Sequence, residues 1–117
     1  MLQIFSLATA LMVAGSLLNL HVFNTGHFLL VNNASEPIAY ASVSICGQTV
    51  QLWDVLPNKS ADGSYRVTSD SHYTIRVEFR SGGRLEREIG YVTSGMDFND
   101  RIIVTDSDIE LMVVEKS

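Results

Sequence analysis

His72-Tyr73-Thr74-Ile75-Arg76-Val77-Glu78-Phe79-Arg80, then Ser81-Gly82-Gly83, then Arg84-Leu85-Glu86-Arg87-Glu88-Ile89-Gly90-Tyr91-Val92-Thr93, is the stretch that decides the fold. In the first run Tyr73, Ile75, Val77 and Phe79 take the odd positions, while His72, Thr74, Arg76, Glu78 and Arg80 take the even ones. Side chains of a strand alternate between its faces, so this period of two describes a half-buried strand rather than a helix. Leu85, Ile89 and Tyr91 repeat the odd pattern in the second run, against Arg84, Glu86 and Glu88. For both apolar sets to share a face, paired residue numbers must sum to an even value. A two-residue Gly82-Gly83 loop breaks that parity. The loop Ser81-Gly82-Gly83, with Gly83 left-handed, keeps it and sets Arg80 opposite Arg84. This register places Arg76 opposite Glu88, Glu78 opposite Glu86 with arginines near enough to relieve the repulsion, and Tyr73 beside Tyr91 on the apolar face. Arg87, the one charge on that face, is expected near a sheet edge. The charged even face reads as the solvated side of an antiparallel sheet.

The alternation extends outward from this hairpin. Phe28–Asn33, Ile38–Cys46, Thr49–Trp53 and Ser64–Thr68 are expected strands upstream, with Arg101–Thr105 and Ile109–Val114 downstream. Ser35-Glu36-Pro37, Leu56-Pro57-Asn58-Lys59-Ser60 and Asp106-Ser107-Asp108 supply the turn residues between them. Eight short strands with hardly any helix predict an all-β fold, a small antiparallel β-sandwich, with a small barrel as the competing topology. The pattern resembles immunoglobulin-like or fibronectin-like modules in architecture, without the cysteine pair or tryptophan signature that would place it in one family.

Charge divides the 117 residues more sharply than strand pattern does. Residues 1–35 contain no Asp, Glu, Lys or Arg, so all 13 acids and 8 bases follow. The organisation expected is an anchor helix over 1–23, a linker and first strand over 24–35, and the remainder of an acidic sandwich over 36–117. An apolar helix of about 20 residues spans a hydrocarbon layer roughly 30 Å thick, so the first segment reads as a membrane span. A cleaved secretory signal competes, with Ala14-Gly15-Ser16 as the small-residue site, although the segment lacks a basic start. A buried helix of a soluble protein is the third reading. Ser6, Ala10 and Ala14 recur every four residues, a strip of small side chains on which another membrane helix can pack closely. The long acidic part after the span favours an extracytoplasmic domain.

Chemistry is sparse. A net charge of −5 with no basic cluster excludes nucleic-acid binding, which needs a stripe of Lys and Arg. The lone Cys46 excludes an internal disulfide and reads as a buried thiol. His21, His27 and His72 lack the short spacing of zinc ligands, and the acidic connections around Asp97, Asn99, Asp100, Asp106 and Asp108 lack the EF-hand pattern. No metal or cofactor is expected. Asp70-Ser71-His72 imitates a triad, but neighbours in a strand point to opposite faces. Asn33-Ala34-Ser35 and Asn58-Lys59-Ser60 fit the glycosylation sequon. Ile109-Glu110-Leu111-Met112-Val113-Val114 is similar to the start of type IV pilin helices, but it stands at the wrong end of the chain and reads as a strand.

These observations lead to a non-enzymatic binding protein. The expectation is a single-span accessory or stabilising subunit of a larger membrane complex, docking through residues 1–23 and through loops of the sandwich. Trp53, Asp97 and Asp100 are the candidate partner-binding residues, because Trp is enriched at interface hot spots and both acids are expected in one exposed connection. The alternative is a secreted or periplasmic inhibitor of the immunity type, neutralising a partner protein with its acidic loops.

Overall fold

The computed structural model describes residues 23–114. The anchor helix expected over 1–23, with Ser6, Ala10 and Ala14, therefore lies outside the described residues except for Phe23. Eight strands follow: β1 (Asn24–Asn32), β2 (Ile38–Ile45), β3 (Gln48–Val55), β4 (Ser60–Val67), β5 (Ser71–Phe79), β6 (Arg84–Val92), β7 (Phe98–Val104) and β8 (Ile109–Val113). They form two four-stranded sheets, in the orders β4-β1-β7-β8 and β3-β2-β5-β6, packed as a sandwich. Between them lie Phe28 and Leu30 of β1, Val43 of β2, Tyr73, Ile75 and Val77 of β5, Ile102 and Val104 of β7, and Ile109 of β8, all at most 2% exposed.

The pairing is antiparallel except between β1 and β7, which run parallel. This departs from the purely antiparallel expectation. A tight hairpin can only join antiparallel strands, whereas parallel neighbours need a long connection. Here that connection is the whole of β2 to β6, so the first strand closes the fold against the seventh.

In the β5–β6 hairpin the parity argument holds, but the register slides by two residues. Glu78 faces Arg84, Arg76 faces Glu86 and Thr74 faces Glu88. Phe79 N–H donates to Gly83 O at 2.8 Å and Gly82 N–H to Phe79 O at 2.9 Å, so the loop is Arg80-Ser81-Gly82 and the left-handed residue is Gly82, φ 98°. The expected register left two glutamates directly opposite each other, which is unfavourable. The observed one replaces that clash with Arg76–Glu86 at 3.1 Å and Arg84–Glu78 at 3.8 Å.

Tyr91 is a second correction. It is 62% exposed, while Val92 is fully buried. Tyr73 pairs with Ile89 but Ser71 with Val92, so β6 carries one extra residue, and Gly90 with φ 74° stands in that bulge. One added residue inverts the alternation beyond it. A Cβ on Gly90 would collide with Leu111 Cδ2, so the glycine also lets β8 lie close. Arg87 does lie on an edge strand. It donates through Nη1 to Ile109 O at 2.6 Å and pairs with Asp108 at 3.2 Å, joining β6 to β8 across the sandwich.

At the other end of the sandwich Asn32 is fully buried. Its Nδ2 donates to Val55 O at 2.9 Å and Glu36 O at 3.0 Å, and its Oδ1 accepts from Ala34 N–H at 2.9 Å. One side chain thus ties the end of β1 to the following turn and to the end of β3.

Candidate functional site

The outer face of the β3-β2-β5-β6 sheet carries the most differentiated surface. In β2, Ile38 pairs with Phe79 but Tyr40 with Glu78, so Ala39 is an extra residue relative to β5. On β3, Asp54 adopts φ 55° between Trp53 and Val55. Aspartate is one of the few residues that tolerates the left-handed region. These paired irregularities let Ile38 and Val55 turn into the core while Tyr40 and Trp53 turn out.

Register then builds rows across the four strands. Trp53, Tyr40, Glu78 and Arg84 form the first row, and Gln51, Ser42, Arg76 and Glu86 the second. Thr49, Ser44, Thr74 and Glu88 form the third. The Trp53 and Tyr40 rings lie 5.8 Å apart and tilted by 54°, and Trp53 remains 60% exposed. Beside Tyr40, a depression of about 520 Å³ is lined by Arg76, Glu78, Arg84 and Glu86. Its charges already pair with one another, so the face offers local donors and acceptors rather than a field of one sign. Tyr40 was not singled out by sequence, although Tyr40, Ser42 and Ser44 alternate with Ala41, Val43 and Ile45, a period of two that puts Tyr40 on the polar face. The missing information was that it stands opposite Trp53.

Asp97 and Asp100 are not brought to this face. Asp97 lies in the connection before β7, where its Oδ1 accepts from Thr25 N–H at 2.9 Å and Asn24 Nδ2 at 3.0 Å. Asp100 sits inside β7, only 3% exposed, which corrects the exposed loop placement. β7 starts at Phe98, earlier than the sequence pattern indicated, because its parallel pairing with β1 begins at Gly26 and Phe98.

Asp100 belongs to a buried polar chain. Tyr73 OH donates to Asp100 Oδ2 at 2.7 Å, and Tyr65 OH lies 2.7 Å from Tyr73 OH. A phenol has one proton to donate, so Tyr65 donates to Tyr73 in turn. Burial raises the Asp100 carboxyl above the ordinary carboxylate range, partly opposed by the Tyr73 hydrogen bond. Burial likewise pushes Tyr65 up to about 12 and raises Tyr73 further. Both phenols stay protonated, and the chain braces the two sheets.

Two further acids clasp loops. Asp106 accepts from Ser35 N–H at 2.7 Å and Ser35 Oγ at 2.8 Å, and these bonds lower its carboxyl below the usual range. Asp70 accepts from Ser94 N–H at 2.7 Å. Among the described residues, no group of three or more His, Cys, Asp or Glu side chains is placed to hold a metal ion. Cys46 is buried and donates to Ser69 O at 3.3 Å.

No family model matches the chain, and no curated protein matches it. Among solved structures, it is similar to one titled "NMR structure of the protein from Eubacterium rectale", with a TM-score of 0.55 and 14% identity, covering 81% of this chain and 91% of that one. At that identity the likeness concerns the fold alone.

Proposed function

We propose that the protein is a non-enzymatic, membrane-anchored binding protein, an accessory or stabilising subunit of a larger membrane complex. Residues 1–23 anchor it and dock against partner helices through Ser6, Ala10 and Ala14. Its sandwich, immunoglobulin-like in architecture, stands on the extracytoplasmic side and grips a protein partner. The observation that carries this reading is Trp53: a large aromatic ring, 60% exposed, fixed on a strand against Tyr40 and beside a depression with paired charges. Exposed aromatic anchors flanked by polar groups are the usual centre of binding energy at protein interfaces. Asp100 is buried and takes no part in the grip, and Asp97 has a secondary place at the opposite end of the fold.

The test is purification of the full C-terminally tagged chain from membranes in mild detergent, with intact mass and identification of stoichiometric partners. An uncleaved mass with membrane partners, lost in Trp53→Ala while the fold survives, supports the proposal. Partners retained by Trp53→Ala would remove the tryptophan face from it. A second reading, the secreted immunity-type inhibitor, is favoured by the fact that the described core begins at Phe28, downstream of a cleavage near Ser16. A shortened mass in the soluble fraction, alone or with one soluble partner, selects that reading.

A further inference from the structure

Exposed apolar side chains gather at the end of the sandwich where the described chain begins. The start of β1, the connection before β7 and the end of β8 are laced together there. Thr25 N–H and Asn24 Nδ2 bond Asp97, and Val114 N–H donates to Asn99 O at 3.0 Å. At this corner Phe23 is 43%, Met96 55% and Val113 66% exposed. Met96, Phe98, Val113 and Val114 line a shallow depression of about 430 Å³ beside Asn24. The nearby carboxylates are engaged, Asp97 with the start of β1 and Asp70 with Ser94 N–H and Tyr91 OH. The Arg66 guanidinium stands 5.9 Å over the Phe23 ring.

Scattered apolar side chains on a surface need no explanation, but these adjoin the point where 22 residues without a single charged side chain join the domain. We infer that this end seats on a lipid surface, with Phe23, Met96 and Val113 at the headgroup–acyl boundary. The inference rests on the membrane-anchored reading and adds to it a fixed orientation. Side chains projecting from loop and strand ends suit a soft, apolar boundary better than a flat protein partner. Arg66 over Phe23 sits where a cation meets lipid phosphates, as basic and aromatic groups do at membrane interfaces. Trp53 then stands roughly 15–20 Å further out, from the five-residue rise along β3 between Gln48 and Trp53.

Trp53 is the only tryptophan, so single-tryptophan variants report depth. The full chain is reconstituted in phosphatidylcholine vesicles with and without bromine on the upper acyl carbons. It is compared as wild type and as Trp53→Phe carrying either Met96→Trp or Val113→Trp. The expected result is that emission from position 96 or 113 shifts to shorter wavelength and is quenched by brominated lipid, while Trp53 emission does not change. Equal emission from both introduced tryptophans in the two lipids overturns the inference. Carbonate extraction of the same vesicles decides the anchor separately. A chain that is extracted although position 96 had been quenched keeps the lipid-facing end and discards the span; a chain that resists extraction with both positions unquenched does the reverse.

Discussion

Replacing Asn32 by alanine removes one side chain and strands two buried backbone groups. Val55 O loses its donor and Ala34 N–H its acceptor, both in buried surroundings, while the part-buried Glu36 O can turn to water. Each buried polar group left unsatisfied costs about 1–3 kcal/mol, so the variant is expected to lose about 4 kcal/mol. For a domain of this size each kcal/mol lowers the melting temperature by about 4–8 °C, giving a fall of about 15–30 °C. Against a typical total of about 5–15 kcal/mol, that removes between about a quarter and most of the stability of the sandwich. Asn32→Asp separates hydrogen bonding from packing, since it has the same shape and still accepts from Ala34. Its ionised form cannot donate to either carbonyl and places a charge at a site with no exposure, so at neutral pH it is expected to be worse than alanine. Burial raises such a carboxyl above its unfolded value, so the stability of Asn32→Asp recovers as the pH falls through that raised pKa. The assay is urea denaturation of the full chain in mild detergent, followed by circular dichroism. If Asn32→Ala unfolds within about 1 kcal/mol of wild type, water or backbone relaxation replaces these bonds and the reasoning fails.

Other substitutions probe other parts of the argument. Asp100 has a carboxyl raised by burial, so the native state holds its proton more tightly and stability falls as pH rises from 3.8 through the raised value; Asp100→Asn should flatten that slope in denaturation measured across pH. Tyr65, raised to about 12, should resist alkaline titration at 295 nm, with stability lost between pH 10 and about 12 as the unfolded phenol ionises first. Gly90→Ala forces a Cβ into a left-handed residue against Leu111 and should cost about 2 kcal/mol; an unchanged melting temperature would show that the bulge relaxes without penalty. Arg87→Ala, which unties the β6 edge from Asp108 and Ile109, should cost about 1 kcal/mol, with faster amide exchange confined to β6 and β8 as the diagnostic readout.

The sequence by itself determined the all-β class, the set of eight strands and the parity of the central hairpin, though β4 begins at Ser60 rather than Ser64 and β7 at Phe98 rather than Arg101. The reason is local: a period of two in Tyr73, Ile75, Val77 and Phe79 states which face is buried, and Gly, Pro, Asn and Asp mark where strands stop. Even the edge position of Arg87 followed, because a charge on an apolar face must reach water or an acid. What only the tertiary structure decided depends on partners distant in sequence. Parity allows several registers, and opposite charges across β5 and β6 chose between them. Gly90 looks like any strand glycine until the bulge inverts Tyr91 and Val92. Asp100 reads as a turn acid beside Asn99, yet the parallel pairing of β7 with β1 carries it into the core, where Tyr73 and Tyr65 meet it. Asn32 reads as a polar residue at the end of the first strand, and its burial follows from Val55, brought to it by the closing of the two sheets. The face headed by Trp53 and Tyr40 belongs to the same class, since its rows are assembled from four strands that no local pattern could align.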